Sequence, residues 1–332
     1  MPNNSSTDNF AFSRRHLLAG SAATAAFGLL GRSEAFAKTP MVNAAAPAVY
    51  RFKLGAFEAT VISDGPLSIG PAKADLFQGV TQETIDRTLD DNFLSPANVT
   101  LEQNTLLINT GDKLVLFDTG VGPGEAFGKS TGRLIANLSA AGVAPADIDA
   151  VVITHAHPDH CWGLGAGAAF HFPNAQIYLS QADLDFWTDE AKSSLPFIGD
   201  FIAPTRAVLL PLRDRMVFVK DGQEILPGIQ AMATPGHTVG HTSYVITSQG
   251  QTLFNTADIA HHSLLVMQNP RTKFGFDTDP EQGAATRIRA FDMVAAQKMM
   301  IVAYHFPWPG IGHVVKQGEG YRYIAAPMQT AL

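Results

Sequence analysis

The most informative stretch of this chain is Ile153-Thr154-His155-Ala156-His157-Pro158-Asp159-His160. It follows an apolar run, residues 150–153, which is typical of a buried strand. Three imidazoles and one carboxylate then fall within six residues. A histidine-rich surface turn is the alternative interpretation. Side chains of the same kind recur downstream at the ends of predicted strands, and this recurrence favours a binding site.

The imidazoles and the carboxylate are suited to transition metals. On an extended or loop backbone, side chains two positions apart point the same way, so His155 and His157 can bind one ion. Asp159 and His160 lie beyond the bend at Pro158 and can face a second ion. Neutral imidazole and carboxylate suit zinc, iron, manganese or cobalt.

Three single residues complete the candidate site. His237, Asp258 and His305 each follow an apolar run, so each is expected where a strand ends. A sheet holds the side chains at its strand ends rigidly, which suits a catalytic or metal-binding site.

This pattern resembles the metallo-β-lactamase superfamily, whose HxHxDH signature matches residues 155–160. The resemblance implies an α/β fold, an αββα four-layer sandwich in a single domain, with two divalent metal ions at one edge. Zinc is the expected metal, with iron, manganese or cobalt as alternatives. The implied ligands are His155, His157 and His237 for the first metal, Asp159, His160 and His305 for the second, and Asp258 as the bridge.

Two further residues are expected to support these ligands without binding a metal. Asp118, in Phe117-Asp118-Thr119-Gly120, matches the family's first motif, and such a carboxylate orients a ligand imidazole. His241 is expected to make a structural hydrogen bond to the backbone. Cys161 is interpreted as a small buried apolar residue.

Four segments narrow the resemblance to methyl parathion hydrolases and their lactonase-like relatives: residues 111–120, 132–138, 236–242 and 306–313. This branch implies an aromatic pocket for a small, neutral, hydrophobic substrate. Cys161-Trp162 and the inserted Trp308 depart from its pattern and leave the substrate open. The predicted pocket residues are Phe127, Trp162, Trp187, Phe197, His261 and His262.

The predicted function is hydrolysis of neutral ester-type bonds, in organophosphate triesters or lactones. Two metals ~3.5–4 Å apart lower the pKa of a shared water, so a metal-bridging hydroxide is the expected nucleophile. Asp258 and Asp159 are the residues assigned to this chemistry. A glyoxalase II-like thioesterase, a β-lactamase and a non-catalytic periplasmic metal-binding protein are the alternatives.

Composition and net charge restrict the classes of partner that this chain is expected to bind. The chain has 332 residues, 46% hydrophobic and 16% charged, which indicates a globular protein with a sizeable core. Its net charge is −7, and no block of lysines or arginines offers a nucleic-acid footprint. No segment beyond Gly31 approaches the ~20 apolar residues of a membrane span. A homodimer is implied by the resemblance alone.

The N-terminus carries an export pattern. Residues 13–18 contain paired arginines, an apolar run extends to Gly31, and Ala35-Phe36-Ala37 fits a cleavage site. The predicted organisation is a twin-arginine signal peptide over 1–37, a flexible leader over 38–48 and the hydrolase domain over 49–332. The mature protein is therefore expected in the periplasm. An amphipathic first helix of the fold is the alternative.

Periodicity predicts several individual elements. A hairpin is expected over Tyr50–Ser63, and helices are expected over Thr81–Leu89 and Pro280–Gln297. Residues 189–215 show no clear period and are interpreted as a surface insertion. Met299–Ala303 is expected to be the last strand.

Overall fold

Two seven-stranded sheets carry the fold in this computed structural model, which describes residues 48–124, 126–166 and 169–329. The predicted signal peptide and nearly all of the leader lie outside these ranges. The strands are β1 Val49–Leu54, β2 Phe57–Ser63, β3 Leu67–Ser68, β4 Phe77–Gln78, β5 Thr100–Leu101, β6 Asn104–Asn109, β7 Leu114–Phe117, β8 Ala150–Val152, β9 Gly165–Ala166, β10 Ala169–Phe170, β11 Gln176–Ser180, β12 Met216–Val219, β13 Glu224–Leu226, β14 Ile229–Ala233, β15 Thr242–Ser248, β16 Gln251–Ala257, β17 Lys273–Phe274, β18 Met300–Ala303, β19 Ile311–Gln317 and β20 Gly320–Ala325.

The helices connect and cover these strands. They are α1 Gln82–Asp90, α2 Leu134–Ala140, α3 Pro158–Cys161, α4 Gln181–Thr188, α5 Gly199–Leu209, α6 Leu265–Gln268 and α7 Pro280–Gln297, with 3-10 turns at Pro145–Asp147, Trp162–Leu164, Glu190–Ser194 and Leu210–Arg215. Within the described ranges, no helix combines the length and the apolar character needed to cross a bilayer.

The sheets are mixed. The first has the order β1-β2-β6-β7-β8-β11-β12, and the second has the order β13-β14-β15-β16-β18-β19-β20. The pairs β7–β8, β8–β11, β11–β12 and β16–β18 are parallel, and the other pairs are antiparallel. Parallel strands need both faces covered, which matches the apolar sequences of β7, β8, β12 and β18.

Three hydrophobic clusters define the layers. Between the sheets, Val61 and Phe117 of the first pack with Ile246 and Leu253 of the second. On the outer face of the first sheet, strands β6 to β11 pack against α2, α4 and α5. On the outer face of the second, strands β16 to β20 pack against α1 and α7. The predicted αββα sandwich is confirmed, and burial of this apolar surface is the main force that stabilises it.

The predicted hairpin and both predicted helices are present. Thr81 caps α1, where its side chain accepts a hydrogen bond from the Thr84 N–H. Asp279 caps α7 in the same way through the Gln282 N–H. Helix α7 ends at Gln297, because the next residue, Lys298, has a left-handed φ of 52° that cannot continue a helix.

Two sequence predictions were wrong. Residues 189–215 contain α5, a regular helix with Ile202 and Val208 buried, although Pro204 in its interior argued against one. Met299–Ala303 is not the last strand, because the hairpin of β19 and β20 extends the second sheet beyond it. These strands mix buried residues with exposed charges such as Lys316, which obscured their pattern.

Candidate metal centre

The seven predicted ligands meet at one edge of the sandwich. His155 and His157 follow β8, while Asp159 and His160 lie on α3. The single ligands follow β14, β16 and β18 of the second sheet: His237, Asp258 and His305. All seven are buried except Asp159, whose side chain is 13% exposed.

The first group of three converges on one point. His155 Nε2 lies 3.2 Å from His157 Nδ1, and His157 Nδ1 lies 2.8 Å from His237 Nε2. These nitrogens all fall within 4.8 Å of one another. The grouping is the one that the resemblance implies for the first metal.

The second group lies beside it. Asp159 Oδ2 is 3.6 Å from His160 Nε2 and 3.4 Å from His305 Nε2. Asp258 Oδ2 stands between the groups, 3.4 Å from His237 Nε2 and 3.0 Å from His305 Nε2. One carboxylate oxygen thus contacts both groups, which is the geometry expected of a bridging residue.

Asp118 holds the metal loop as expected. Its Oδ2 lies 2.9 Å from His160 Nδ1 and accepts the Thr154 hydroxyl at 2.8 Å. Its Oδ1 accepts the Thr154 N–H at 2.8 Å. Burial raises the pKa of Asp118, although the His160 charge and these hydrogen bonds oppose the rise. The carboxylate therefore fixes which His160 nitrogen faces the centre.

His241 has both ring nitrogens occupied. Nδ1 lies 2.8 Å from Thr234 Oγ1, and Nε2 accepts the backbone N–H of Asp258 at 3.0 Å. Burial lowers the pKa of His241 to about 3, which keeps the ring neutral and able to accept that bond. The expected hydrogen bond to the backbone is present.

Two orienting groups were missed by the sequence analysis. Asp277 Oδ1 lies 2.8 Å from His237 Nδ1, and the backbone carbonyl of Glu102 lies 2.7 Å from His305 Nδ1. Each turns the Nε2 lone pair of its histidine toward the centre. Asp277 lies in the loop before α7, far along the chain from its partner, and no sequence signal links them.

The charge balance of the cluster fits a cation. Burial lowers the pKa of His155 and His157 well below the ordinary value. Burial opposes protonation of His237 too, yet hydrogen bonds to Asp258 and Asp277 raise its pKa to about 9. The carboxylates of Asp258 and Asp277 thus favour positive charge at the centre.

The hydrogen bonds within the cluster also indicate a cation-binding site. His157 Nδ1 lies within hydrogen-bond distance of both His155 Nε2 and His237 Nε2. A single proton can be shared by only two of these three nitrogens, so the third is left out of that hydrogen bond. Within the described residues, His160 Nε2 and Asp258 Oδ1 are buried without a hydrogen-bond partner. Buried polar groups normally have partners, so the donor set fits metal ions.

A cavity of about 240 Å³ opens onto the cluster. Its polar end is formed by five of the seven candidate ligands (all but His155 and His160) and by His261, whose Nε2 lies 3.3 Å from Asp258 Oδ2. Its remaining wall is largely apolar, and none of the lining residues that the structure describes is a lysine or an arginine. The apolar wall comprises Leu67, Ile69, Leu101, Phe127, Pro158, Phe201, Phe274 and Phe276.

Some of the residues predicted to line the pocket do line the cavity, and others do not. Phe127 and His261 line the cavity, as predicted. Trp162 does not, because its ring packs behind Phe127 at 5.6 Å and its N–H donates to Thr205 Oγ1 at 2.9 Å. Trp187 is fully buried in the core, with its ring 4.8 Å from that of His157.

Phe197 and His262 do not line the cavity, contrary to the expectation from the sequence. Phe197 is 71% exposed and lies in a neighbouring groove that meets the cavity at Phe276. His262 Nδ1 accepts the backbone N–H groups of Leu264 and Leu265, so it supports the start of α6. Phe201 also lines the cavity, and it was not predicted because helix α5, on which it lies, was not predicted.

The comparisons with known proteins agree with this geometry. The family model described as "Metallo-beta-lactamase superfamily" matches residues 99–304. An N-acyl homoserine lactonase of Bacillus cereus is 23% identical over 254 residues, which cover 71% of this chain and 91% of the relative.

Two solved structures are similar over most of the chain. AidC, a dizinc quorum-quenching lactonase in complex with a product, an N-acylated L-homoserine, has a TM-score of 0.79 and 27% identity, and the match covers 86% of this chain and 99% of AidC. The hydrolase AbOPH has a TM-score of 0.79 and 28% identity, with 86% and 100% covered. With more than half of its residues matched by the family model, this chain belongs to the metallo-β-lactamase superfamily and is a metal-dependent hydrolase of that family.

Proposed function

We propose that this protein is a metal-dependent lactonase that opens small neutral lactones carrying an apolar substituent, with N-acyl homoserine lactones as the candidate class. The observation that carries the proposal is a complete His/Asp cluster at the end of an apolar cavity. The similarity to the B. cereus lactonase and to AidC supports the substrate class.

The chain offers two adjacent metal positions. His155, His157 and His237 would hold the first ion, Asp159, His160 and His305 would hold the second, and Asp258 would contact both. Zinc is the proposed metal. Two bound divalent ions supply a water of lowered pKa and polarise an ester carbonyl.

The residues of the chain orient the ligands and the substrate. Asp118, Asp277 and the Glu102 carbonyl fix three of the histidines. His261 stacks on Phe274 with ring centroids 3.9 Å apart, which holds its Nε2 at the cavity wall beside Asp258. From there it can form a hydrogen bond with an oxygen of the substrate.

The apolar wall would select the substrate. Phe127, Phe201 and Phe276 surround the space next to the cluster, where an acyl chain can displace water. A β-lactam carboxylate or a glutathione tail would meet no lysine or arginine among the described residues of this wall. The lining therefore disfavours the β-lactamase and thioesterase alternatives.

Organophosphate triester hydrolysis is a second candidate. Triesters are neutral and apolar, and the aromatic rings of Phe127 and Phe201 suit an aromatic leaving group. The resemblance to methyl parathion hydrolases points the same way. We rank lactone opening first because the similar lactonases cover most of this chain.

Export through the twin-arginine pathway is a further part of the proposal, on the strength of Arg14-Arg15 and Ala35-Phe36-Ala37. Fractionation of cells that express the full chain tests it. Processed protein in the periplasm supports export. Uncleaved protein confined to the cytoplasm would refute it.

The function is tested by turnover on purified, zinc-loaded protein whose metal content has been measured. Acid release from a series of N-acyl homoserine lactones is compared with nitrophenolate release from methyl parathion and with hydrolysis of S-lactoylglutathione. We expect the highest kcat/KM on a lactone. A higher value on the triester would favour the second candidate, and no turnover with two metals bound would favour a metal-binding protein.

A further inference from the structure

Asp183 is a fully buried carboxylate outside the cavity. It lies on α4 and is 0% exposed. Its Oδ2 accepts the Ala156 N–H and the Thr238 hydroxyl, both at 2.8 Å, and its Oδ1 accepts the Gly240 N–H at 2.6 Å. A buried carboxylate costs free energy unless its oxygens are satisfied, and here three donors satisfy them.

These three donors belong to the two loops that form the first metal position. Ala156 lies between His155 and His157, at the end of a strand of the first sheet. Thr238 and Gly240 follow His237, at the end of a strand of the second sheet. Asp183 therefore joins two ligand-bearing loops from opposite sheets.

Gly240 allows the loop after His237 to lie against the start of α4, where Asp183 binds it. A Cβ on Gly240 would lie 2.7 Å from the Asp183 backbone nitrogen and 2.5 Å from Ser180 Oγ. Only glycine lets the second loop approach the start of α4 so closely. One backbone bond runs beside the junction, from the Thr242 N–H to the Thr154 carbonyl at 2.9 Å.

We propose that Asp183 is a positioning residue for the first metal position, because it sets the distance between the His155–His157 pair and His237. This inference rests on the proposed metal centre. Without the carboxylate, the two loops would keep their strands but lose their common anchor, and the three nitrogens would no longer be held together before an ion arrives.

Asp64 provides a matched control. It is also 0% exposed, and its two oxygens also accept three N–H groups, from Val121 at 2.9 Å, Gly132 at 3.2 Å and Leu134 at 2.8 Å. None of these donors neighbours a candidate ligand in the chain. Loss of Asp64 therefore reports the cost of disturbing a buried carboxylate without disturbing the first metal position.

The experiment compares Asp183→Asn with Asp64→Asn. Each variant keeps its side-chain volume, but the amide nitrogen cannot accept a hydrogen bond. Zn²⁺ affinity is measured by competition with a chelator, and Co²⁺ is bound separately so that its visible absorption reports the ligand geometry. We expect Asp183→Asn to bind one of two Zn²⁺ ions about 10–100-fold more weakly and to alter the Co²⁺ spectrum. Asp64→Asn should lower the melting temperature and leave the affinity of the ion at the first metal position unchanged.

A milder variant covers the possibility that Asp183→Asn fails to fold. Thr238→Val removes one of the three hydrogen bonds and little volume, and it should weaken the same ion in the same direction by a smaller factor. Wild-type Zn²⁺ affinity and Co²⁺ spectrum in both folded variants would overturn the proposal. So would equal metal loss in Asp64→Asn. Lack of turnover on every ester, with these metal results intact, would refute the proposed function and not the role of Asp183.

Discussion

The two ends of the cavity are built in different ways. At the metal end, every candidate ligand except Asp159 is buried, and most are fixed by hydrogen bonds, such as those of His160 with Asp118 and His237 with Asp277. At the apolar end, Phe127, Phe201 and Phe276 are only partly buried and are held by packing against one another or their neighbours.

This difference has a physical consequence. Hydrogen bonds to buried groups are directional and expensive to break, so the metal end tolerates little change. Packing contacts are non-directional, and aromatic residues can be exchanged at modest cost. Changes at the metal end should therefore abolish catalytic activity, and changes at the apolar end should alter the substrate preference.

The sharpest test of this division is His157→Ala. The variant removes the ligand that contacts both His155 and His237, so the first metal position should be lost and turnover should become undetectable. Metal analysis and lactone turnover on the same sample measure both effects. Full activity with two metals retained would show that the ligand assignment is wrong.

Removal of the metals should be nearly as severe, but reversible. A chelator should abolish turnover, and added Zn²⁺ should restore it. Because an ion that binds only the folded state stabilises it by about 4 kcal/mol at 1,000 times its Kd, the chelated protein should also melt at a lower temperature. An unchanged melting temperature would contradict an occupied buried site.

The same contrast explains what the sequence could and could not predict. The residues from His155 to His160 are neighbours in the chain, so their spacing alone indicated a metal site. The strand-end positions of His237, Asp258 and His305 followed from apolar runs and the resemblance. The roles of Asp277 and Asp183 could not be predicted, because each contacts residues more than twenty positions away in the chain.

The residues that line the cavity wall were harder to predict from the sequence than the metal ligands. Phe197 and Phe201 lie four residues apart, and the ring that lines the cavity is that of Phe201, which the sequence did not single out. Phe197 precedes α5 with a left-handed φ of 63° and is 71% exposed, whereas Phe201 lies in the first turn of that helix and faces the cavity. Pro204 concealed the helix, and without the helix there was no way to tell which ring faced inward.

A smaller loss is expected from Asp277→Asn. The variant keeps the shape of the side chain but weakens its hold on His237 Nδ1, which lies 2.8 Å from the carboxylate. Metal affinity or kcat/KM should fall about 10–100-fold, the usual cost of losing a group that orients a ligand. If kcat/KM and metal content both stay at the wild-type level, the hydrogen bond does not orient His237.

The smallest effect should come from the apolar end, through Phe201→Ala with Phe197→Ala as its matched control. Removal of the Phe201 ring should lower kcat/KM about tenfold for a decanoyl lactone, since a lost hydrophobic contact in a pocket costs roughly that much. A butanoyl lactone should be affected less, because its short chain leaves more of the wall uncovered. Phe197→Ala should change either substrate less than twofold, and both variants should keep two metals. If Phe201→Ala instead lost a metal, or if Phe197→Ala had the larger effect on the long chain, the separation between a fixed metal end and an adaptable apolar end would fail.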